Sequence, residues 1–580
     1  MKAMVQAVRR IVADHIFLFN LEFTLKFNIL CNCKIIVTVV WIRLTSKKPK
    51  PIIYLFGIYF KLRKERYGFM RNNVIYYLEN TARSYPNHVA YADSKTSVTF
   101  AEMQQQAKAV ASSIMGITGS TINVPTVILL PKSVACLTAF FGVTYSANFY
   151  TPLDVASPKA RLEKIVETLH PRVAVTSADF LPLAQSLGFT EKNTVLMEQA
   201  VAHPVDDAKI ETALAKKIDT DPLYVLFTSG STGMPKGVTI CHRSVMDYID
   251  WVCETFHFGP DTKFGNQAPF YFDNSILDIY CTLKSGATMY ILPEKLFMFP
   301  IKLMEYLNEK SINTIFWVPS ALIHVANSGV LEKLLPKYLK KVLFCGEVMP
   351  NKQLNIWRRM LPDVFYANLY GPTEITDACT FFPVEREFAD DEPLPIGFPC
   401  ANTDVLVLTE GGKRAKQGET GELCVRGTCL SRGYYGSPEK TAQAFVQNPL
   451  NKNYPELIYK TGDLVKYNQR NELIYLCRKD FQIKHMGHRI EIGEIETAVM
   501  SLPGMETGCI VNDEQANQIV LFYQSESLTD VQILTGLRQL VPKYMLPNRL
   551  LKVQRMPLNA NGKIDRVLLK NSLTEKGEKA

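Results

Sequence analysis

Short apolar runs rich in β-branched residues alternate with stretches of helical spacing along most of this chain, from residue 70 to about residue 475. Runs of this kind, separated by helices, are typical of parallel strands whose sheet faces are covered by helices. The sequence therefore predicts an α/β fold with a large N-terminal domain of stacked sheets. The clearest of these runs are 127–130, 173–176, 223–228, 287–292, 314–318 and 342–344.

The pattern changes twice further along the chain. From residue 397 to about 475, short strands and Gly-rich turns predict a β-rich subdomain inside a large domain that spans 70–479. Residues 480–570 form another α+β segment, with the size of a small independent domain. Residues 571–580 are a charged tail.

Residues 1–69 fit neither pattern. Charged residues such as Glu22 and Lys26 interrupt their apolar islands, so no run reaches the roughly 18–20 residues that a bilayer span needs. Two interpretations stay open. The start site is placed too early and Met70 is the natural initiator, or the segment is a membrane-surface anchor with its basic cluster at 47–50.

The formal charge of +9 belongs to this N-terminal stretch. Residues 1–70 hold thirteen Lys and Arg against three Asp and Glu, whereas the rest of the chain holds 52 basic and 53 acidic residues. The main body therefore has no electrostatic bias toward nucleic acid. The thirteen cysteines include no Cys-x-x-Cys pair, which predicts reduced thiols in a cytoplasmic protein and no zinc site.

The strongest local motif is Leu226-Phe-Thr-Ser-Gly-Ser-Thr-Gly-Met-Pro-Lys-Gly237. An apolar run leads into a loop whose glycines let backbone N–H groups approach an anion, while hydroxyls and Lys236 add further donors. The spacing is not that of the NTPase P-loop, because Pro235 stands where that motif needs its second glycine. The segment is predicted to bind phosphate.

This loop resembles the signature of the adenylate-forming enzymes, which include acyl-CoA synthetases and the adenylation domains of nonribosomal peptide synthesis. Further motifs of that family follow in order between about residues 70 and 570, and the collinear set is highly specific. They are Asn368-Leu-Tyr-Gly-Pro-Thr-Glu374, Gly421-Glu-Leu-Cys-Val-Arg-Gly427, Tyr459-Lys-Thr-Gly-Asp463, Arg478-Lys-Asp-Phe-Gln-Ile-Lys-His-Met-Gly-His-Arg489 and Asn561-Gly-Lys-Ile-Asp-Arg566.

The resemblance implies ATP and Mg²⁺ as cofactors and assigns a role to individual residues. Tyr370 would stack on adenine, Glu374 would hold Mg²⁺, and Asp463 would accept the ribose hydroxyls. Arg478 would bridge ribose and phosphate. Lys563 would offset the charge that develops when a carboxylate attacks the α-phosphate.

Two sets of site residues follow from the resemblance. The catalytic set is Lys563, Glu374 and Thr228. The nucleotide set is Thr228, Ser229, Gly230, Ser231, Thr232, Gly233, Lys236, Asn368, Tyr370, Gly371, Thr373, Asp463, Arg478 and Lys563.

The implied reaction joins a carboxylate to ATP, giving an acyl-AMP and pyrophosphate, after which a thiol takes the acyl group. No protein nucleophile is needed. An acyl-CoA ligase for a fatty or aryl acid is the close alternative, and a non-catalytic binding module is a more distant one. His242, shortly after the loop, is interpreted as a packing residue.

The substrate is predicted to be an amino acid, because Asp273 occupies the position that pairs with an α-ammonium in amino-acid-activating members. A buried carboxylate would have no partner in a fatty or aryl acid. An alternative is that Asp273 caps the following helix. The resemblance places Asn274, Leu277, Phe316, Leu343, Cys345, Leu369, Asp377 and Ala378 around the substrate side chain.

Similarity to D-alanine–carrier protein ligases around residues 344–350 and 272–280 favours a small side chain such as that of D-alanine. Asp377 leaves a polar or basic side chain open as the alternative. Only 14 residues follow Arg566 and no carrier-domain motif is present, so the expected partner is a separate carrier protein bearing phosphopantetheine.

The family resemblance also implies a mobile C-terminal domain. Asp480 matches the hinge position, and rotation there would withdraw Lys563 and bring the Gly487 loop toward the thiol. Cys477 stands where the family usually has glycine, which bears on hinge kinetics rather than on the chemistry.

Overall fold

A computed structural model describes residues 23–25, 40–42, 72–230, 234–479, 482–514, 516–557 and 564–577. The chain divides into two compact units, 1–70 and 71–580. In the first unit, the strands Phe23–Leu25 and Val40–Ile42 pair antiparallel, with Thr24 opposite Trp41.

Two large sheets organise the second unit. All six apolar runs named above are strands of these sheets, so the α/β prediction is confirmed. The six-stranded sheet has the order Lys236–Cys241, Pro222–Thr228, Phe149–Pro152, Pro125–Leu129, Val173–Thr176 and Thr194–Leu196. The nine-stranded sheet has the order Phe398–Pro399, Thr380–Pro383, Phe365–Tyr370, Lys341–Phe344, Thr314–Trp317, Lys263–Asn266, Thr288–Ile291, Val89–Ala92 and Ser97–Thr99.

The pairing within both sheets is mainly parallel, and antiparallel pairs lie at their ends. Strand Lys236–Cys241 runs antiparallel to Pro222–Thr228, in a register that sets Lys236 opposite Thr228. In the other sheet, the strands from Phe365–Tyr370 to Val89–Ala92 are parallel. The carboxyl ends of parallel strands are where an open α/β sheet presents binding residues.

Two helices are buried almost all round. Helix Val134–Tyr145 buries eleven of its twelve residues, which fits its apolar composition. Phe140 stacks on Tyr150 of the six-stranded sheet at 4.3 Å, and Phe141 lies 5.8 Å from Tyr91 of the nine-stranded sheet. This helix therefore joins the two sheets through one apolar core. The second helix, Ser275–Ser285, has nine buried residues, of which six apolar ones belong to this core.

The other helices of eight or more residues cover the sheets or lie in the C-terminal segment. They are Ile75–Ser84, Phe100–Thr118, Lys159–Leu169, Asp207–Leu214, His242–Thr255, Pro300–Glu309, Pro319–Asn327, Asn351–Met360, Ile492–Met500, Asp530–Leu537 and Arg566–Gly577. The shorter ones are Ala178–Phe180, Leu181–Ser186, Glu191–Asn193, Met197–Ala200, Glu294–Met298, Val330–Lys333, Thr373–Ile375, Pro438–Ala444 and Lys543–Met545.

An antiparallel five-stranded sheet forms the β-rich part that the sequence predicts. Its strands are Thr403–Leu408, Gly421–Gly427, Leu457–Tyr467, Phe445–Gln447 and Leu473–Arg478. Pairing of the last strand with Leu457–Tyr467 sets Asp463 directly opposite Arg478.

The C-terminal segment has hydrophobic cores of its own. A hairpin of Gln482–His485 and His488–Glu491 precedes a sheet of Thr507–Asp513, Gln518–Gln524 and Arg549–Lys552. A separate core is what a small domain needs in order to move as one body. The domain limits at 479/480 and 570/571 stay predictions. Within the described residues, no helix combines the length and apolar character needed to cross a bilayer.

Candidate active site

The phosphate-loop motif connects two neighbouring antiparallel strands. Thr228 ends the first strand, Lys236 begins the second, and Ser229 and Gly230 follow Thr228 into the connection. A Cβ on Gly230 would lie 2.0 Å from the carbonyl oxygen of Met234, so only glycine fits there. The predicted residues Ser231, Thr232 and Gly233 lie outside the described residues.

The donors of this loop are engaged by the C-terminal hairpin and the helix after it. Ser229 Oγ donates to the Arg489 carbonyl at 2.7 Å and accepts from the Glu491 N–H at 3.0 Å. Lys236 Nζ lies 2.9 Å from Glu491 Oε1, and the Gly230 N–H donates to Glu494 Oε2 at 3.2 Å. The carboxylates of Glu491 and Glu494 thus bind donor groups of the loop that the sequence predicts to bind phosphate.

Glu374 is fully buried in the short 3₁₀ turn Thr373–Ile375. Its Oε1 accepts from the Tyr434 hydroxyl at 2.7 Å, and its Oε2 accepts from Arg489 Nη1 at 2.5 Å. Burial alone would raise the pKa of this carboxyl, but the charges of Arg489 and Lys236 outweigh it and bring the pKa to about 2. Glu374 is therefore ionised.

A single ionised carboxylate fits the way in which proteins usually hold Mg²⁺, together with phosphate oxygens of a substrate. Among the described residues, no group of three His, Cys, Asp or Glu side chains could hold a metal ion without such a substrate. In this arrangement Arg489 and Tyr434 take both oxygens of Glu374. A cation at Glu374 would compete with the Arg489 guanidinium for the charge of this carboxylate.

Asp463 and Arg478 face each other across two paired strands, and Tyr370 of the nine-stranded sheet meets them there. The Tyr370 hydroxyl donates to Asp463 Oδ2, and Arg478 Nη1 lies 3.0 Å from Asp463 Oδ1. Asp463 is 1% exposed. The Lys484 ammonium of the hairpin lies 5.1 Å from the centre of the Tyr370 ring. The side-chain amide of Asn368 donates to the Pro395 carbonyl at 2.8 Å, and its predicted nucleotide role stays a prediction.

One cavity connects these groups. Its walls include phosphate-loop, ribose-type and substrate-type residues together with side chains of the C-terminal segment. The residues that line the cavity include Arg161, Thr228, Ser229, Asp273, Gly371, Thr373, Asp463, Arg478, Lys484, Gly487, Arg489 and Tyr544.

Asp273 lines this cavity and is buried. Its Oδ1 accepts from the Asn274 N–H at 3.0 Å. Burial is the main cause that raises its pKa, partly opposed by a hydrogen bond from the Thr373 side chain. Asn274, not Asp273, is the N-cap of helix Ser275–Ser285, and no side chain caps that end. The carboxylate of Asp273 therefore does not serve as the helix cap.

Of the predicted substrate residues, Asp273 and Asn274 line the cavity, whereas the others are not among its lining residues, and their substrate roles stay predictions. Leu277, Phe316, Leu343, Cys345, Leu369 and Ala378 are buried in the main apolar core. The Asn274 amide lies 3.4 Å from the Cys345 carbonyl.

Asp377 lies directly behind the cavity wall at Gly371. A Cβ on Gly371 would lie 2.3 Å from the Asp377 carbonyl oxygen. Thr376 and Asp377 are consecutive left-handed residues, with φ of 64° and 74°, a conformation that costs energy in non-glycine residues. Tyr248 donates to Asp377 Oδ2 at 2.8 Å, while Oδ1 is buried and has no partner among the described residues.

The Gly487 loop of the hairpin also contacts the large sheets. Gly487 has φ of 81°, and a Cβ there would lie 2.8 Å from Val318 Cγ1. Beside it, the His488 ring stacks on Tyr544 at 3.6 Å and lies edge-on to Phe272 at 4.6 Å. The predicted hinge Asp480 and the predicted Lys563 lie outside the described residues.

His242 is completely buried, and its Nδ1 accepts from the Val74 N–H at 3.4 Å. Burial lowers its pKa well below the usual value. This environment agrees with a packing residue.

Sequence reasoning did not identify Arg161, Tyr434, Glu491 or Glu494 as site residues. Each is buried or nearly so, and each pairs with a residue of the site. The available signal was the pair of acidic residues between isoleucines in Glu491-Ile-Gly-Glu494, since buried charges need partners.

The lining of this cavity includes residues of the motifs by which the sequence resembles the AMP-forming ligases. The model for the family described as "AMP-binding enzyme" matches residues 78–435. The chain belongs to this family.

Its relatives and structural neighbours agree with that assignment. The chain is 32% identical over 498 residues to the L-proline--[L-prolyl-carrier protein] ligase of Pseudomonas fluorescens, covering 84% of this chain and 96% of that one. It is 30% identical over 502 residues to the D-alanine--D-alanyl carrier protein ligase of Bacillus velezensis, covering 84% and 97%. The adenylation domain AlmE of Vibrio cholerae, solved with glycyl-adenosine-5'-phosphate, shares the fold at a TM-score of 0.73 and 22% identity, covering 87% and 98%.

Proposed function

We propose that this enzyme activates an amino acid with ATP and transfers it to the phosphopantetheine thiol of a separate carrier protein. In the first half-reaction a substrate carboxylate oxygen bonds to the α-phosphorus, the bond to the bridging oxygen breaks, and pyrophosphate leaves. In the second, the thiol sulfur bonds to the acyl carbon as its proton passes to solvent, and AMP leaves with the electrons of the broken C–O bond.

The observation that carries the proposal is the buried carboxylate of Asp273 in the same cavity as Thr228 and Asp463. An α-ammonium would give this carboxylate the opposite charge that burial demands, whereas a fatty or aryl acid would leave it unpaired. Named relatives that act on amino acids and carrier proteins support the same substrate class.

ATP would lie between Asp463, which is placed to accept ribose hydroxyls, and the donors of Ser229, Gly230 and Lys236. Mg²⁺ held by Glu374 and phosphate oxygens would offset negative charge on the phosphates. Lys563 is proposed to approach the α-phosphate and the substrate carboxylate from the C-terminal segment. Its ammonium would reduce the repulsion between two reacting anions.

The arrangement of the hairpin fits the transfer half-reaction. Glu491 and Glu494 lie on Lys236 and Gly230, so these donors are not available to a triphosphate tail. The Gly487 loop lies at the cavity at the same time. We propose that the C-terminal segment turns at Asp480 between an adenylating arrangement with Lys563 at the site and this arrangement.

The amino acid is proposed to have a short side chain, because Phe316 and Leu369 are bulky and buried. D-alanine is the first candidate. The free oxygen of Asp377 favours testing side chains that donate hydrogen bonds beside it. We also propose a cytoplasmic location, since the eleven described cysteines are all free thiols.

Exchange of labelled pyrophosphate into ATP tests the proposal. The panel contains both alanine enantiomers, glycine, serine, proline, 2,3-diaminopropionate, a fatty acid and an aryl acid. We expect at least one amino acid to exceed the fatty and aryl acids by about 100-fold, because the site would leave Asp273 unpaired with the latter. Exchange driven only by a fatty or aryl acid would identify an acyl-CoA ligase instead.

Two variants make this test specific. Lys563→Ala should abolish exchange. Asp273→Asn keeps the side-chain volume but removes the charge, and should raise the amino-acid KM by at least about 10-fold through loss of a charged hydrogen bond. Absence of exchange with every acid, in the unmodified protein, would reject an enzymatic role for this cleft.

A further inference from the structure

Arg161 lies beside the phosphate loop but belongs to none of the motifs discussed above. It is in helix Lys159–Leu169, 6% exposed, and it lines the same cavity as Thr228 and Ser229. Its guanidinium donates to Glu494 Oε1. The other oxygen of Glu494 accepts the Gly230 N–H at 3.2 Å. One carboxylate group therefore spans the gap between the Arg161 guanidinium and a backbone donor of the loop.

A phosphoryl group can make the same bridge. Like a carboxylate, it presents several negatively charged oxygens on one central atom, and a guanidinium binds either group through its fork of N–H donors. The neighbouring pair has the same composition, since Lys236 of the loop meets the Glu491 carboxylate at 2.9 Å. The carboxylates of Glu491 and Glu494 thus occupy two neighbouring anion-binding positions, each formed by a cationic side chain and donors of the loop.

Arg161 needs an anion when Glu494 is absent. Among the described residues, Glu494 is its only ion-pair partner. Asp154, which lines the same cavity, accepts hydrogen bonds from the Ala156 N–H and the Ser157 hydroxyl. Turning of the C-terminal segment would remove this counter-charge together with part of the cover over the guanidinium, and would leave a cation open to anions that bind in the cavity. When the C-terminal segment turns away, the nearest anion that the reaction supplies is the triphosphate tail.

We propose that Arg161 binds the terminal phosphoryl group of ATP, and of pyrophosphate, during the first half-reaction and then exchanges that partner for Glu494. This inference rests on the proposed function. It makes Arg161 a phosphate-binding residue, and it makes Glu494 an internal competitor of pyrophosphate. Pyrophosphate would then leave the Arg161 guanidinium as Glu494, in helix Ile492–Met500, takes its place.

The test compares variants on the two sides of one ion pair in the full-length enzyme. Binding of inorganic pyrophosphate alone is measured by calorimetry, and its KM is measured in the exchange assay. Arg161→Gln should weaken pyrophosphate binding by about 10- to 100-fold, which is the loss of one or two charged hydrogen bonds. Arg161→Lys should recover part of it. Glu494→Gln should instead tighten pyrophosphate binding, because it weakens the competitor.

Arg161→Gln and Glu494→Gln break the same ion pair, so both should lose the same stability. Only Arg161→Gln removes the proposed phosphate-binding side chain, so a loss of pyrophosphate binding in that variant alone is not a stability effect. If both variants bind pyrophosphate as the unmodified enzyme does and slow only the transfer to thiol, Arg161 is a docking residue and the inference is wrong. If no acid on the panel supports pyrophosphate exchange by the unmodified enzyme, the proposed function itself is rejected. If it exchanges normally and Arg161→Gln does so with an unchanged pyrophosphate KM, only this inference fails.

Discussion

The guanidinium of Arg489 donates to the fully buried carboxylate of Glu374 at 2.5 Å, across 115 positions of sequence. Arg489 comes from the C-terminal hairpin and Glu374 from the end of the nine-stranded sheet. The residue proposed to hold Mg²⁺ in one half-reaction is thus neutralised by a protein cation in this arrangement. Glu374 would therefore have a partner in both half-reactions, Mg²⁺ in the first and Arg489 in the second.

Removing Arg489 should affect the transfer half-reaction more than the adenylation half-reaction. Arg489→Ala leaves Glu374 buried without its cation in the docked arrangement, a change that costs roughly 3–5 kcal/mol when a buried pair is broken. We expect the rate of aminoacyl transfer to a thiol to fall by a larger factor than pyrophosphate exchange. Single-turnover transfer and steady-state exchange measure the two, and equal losses would contradict the assignment.

Asp463→Asn should weaken nucleotide binding. The carboxylate accepts from Tyr370 and lies 3.0 Å from Arg478, so its loss removes a charge that both residues face. We expect the KM for ATP to rise by about 10-fold or more, in line with the loss of one charged hydrogen bond. Tyr370→Phe is the matched control, since it removes only the hydroxyl and keeps the ring. A smaller effect of Asp463→Asn than of Tyr370→Phe would argue against a ribose role.

Docking of the hairpin should weaken in mild acid. Burial lowers the pKa of His488 to about 3, from an ordinary value of 6.5. Between these values the undocked or unfolded state binds a proton that the docked state excludes, so docking is favoured above pH 6.5 and is lost as the pH falls. The slope is about 1.4 kcal/mol for each pH unit below 6.5.

Fluorescence energy transfer between labels on the two sides of the hairpin contact would report this loss. His488→Phe keeps an aromatic ring beside Tyr544 and removes the titration, so the docked fraction of that variant should vary less between pH 7 and pH 5. An identical pH response in the two proteins would show that another group controls docking.

Gly371→Ala should disable the site while leaving most of the fold intact. A Cβ there would lie 2.3 Å from the Asp377 carbonyl and 2.7 Å from the Ala378 Cα, which are backbone atoms that cannot rotate aside. The segment that carries Glu374 and Asp377 would shift, and exchange should fall by at least about 100-fold, since small displacements of reacting groups are costly. Circular dichroism would verify the fold, and Gly116→Ala, where nothing lies within 4 Å, is the control.

The sequence was sufficient for the fold class, and the fold brings together in one cavity several residues of the collinear motifs whose roles stay predictions. The apolar runs at 173–176 and 314–318 are strands because β-branched residues bounded by turns suit a buried parallel sheet. Motif spacing in the linear chain predicts site roles for Asp463 and Glu374. Their surroundings also follow locally, as in the register that places Arg478 opposite Asp463.

The pairings of the C-terminal segment could not be predicted in this way. Arg161 and Glu494 are separated by 333 positions, and Gly230 and Glu494 by 264. Such contacts depend on how one folded body docks on another, which no local periodicity encodes. The left-handed backbone at Thr376 was equally hidden, because a β-branched residue has no local preference for that conformation.

The rung formed by Asp463 and Arg478 belongs entirely to the five-stranded sheet, ahead of the predicted hinge. Rotation of the segment after residue 480 would therefore leave the residues predicted to bind the ribose in place. The reactive end would have its neighbours replaced, and the Lys484 ammonium would leave the Tyr370 ring. An intermediate as easily hydrolysed as an acyl-AMP could then wait in place for the thiol, without being handed from one site to another.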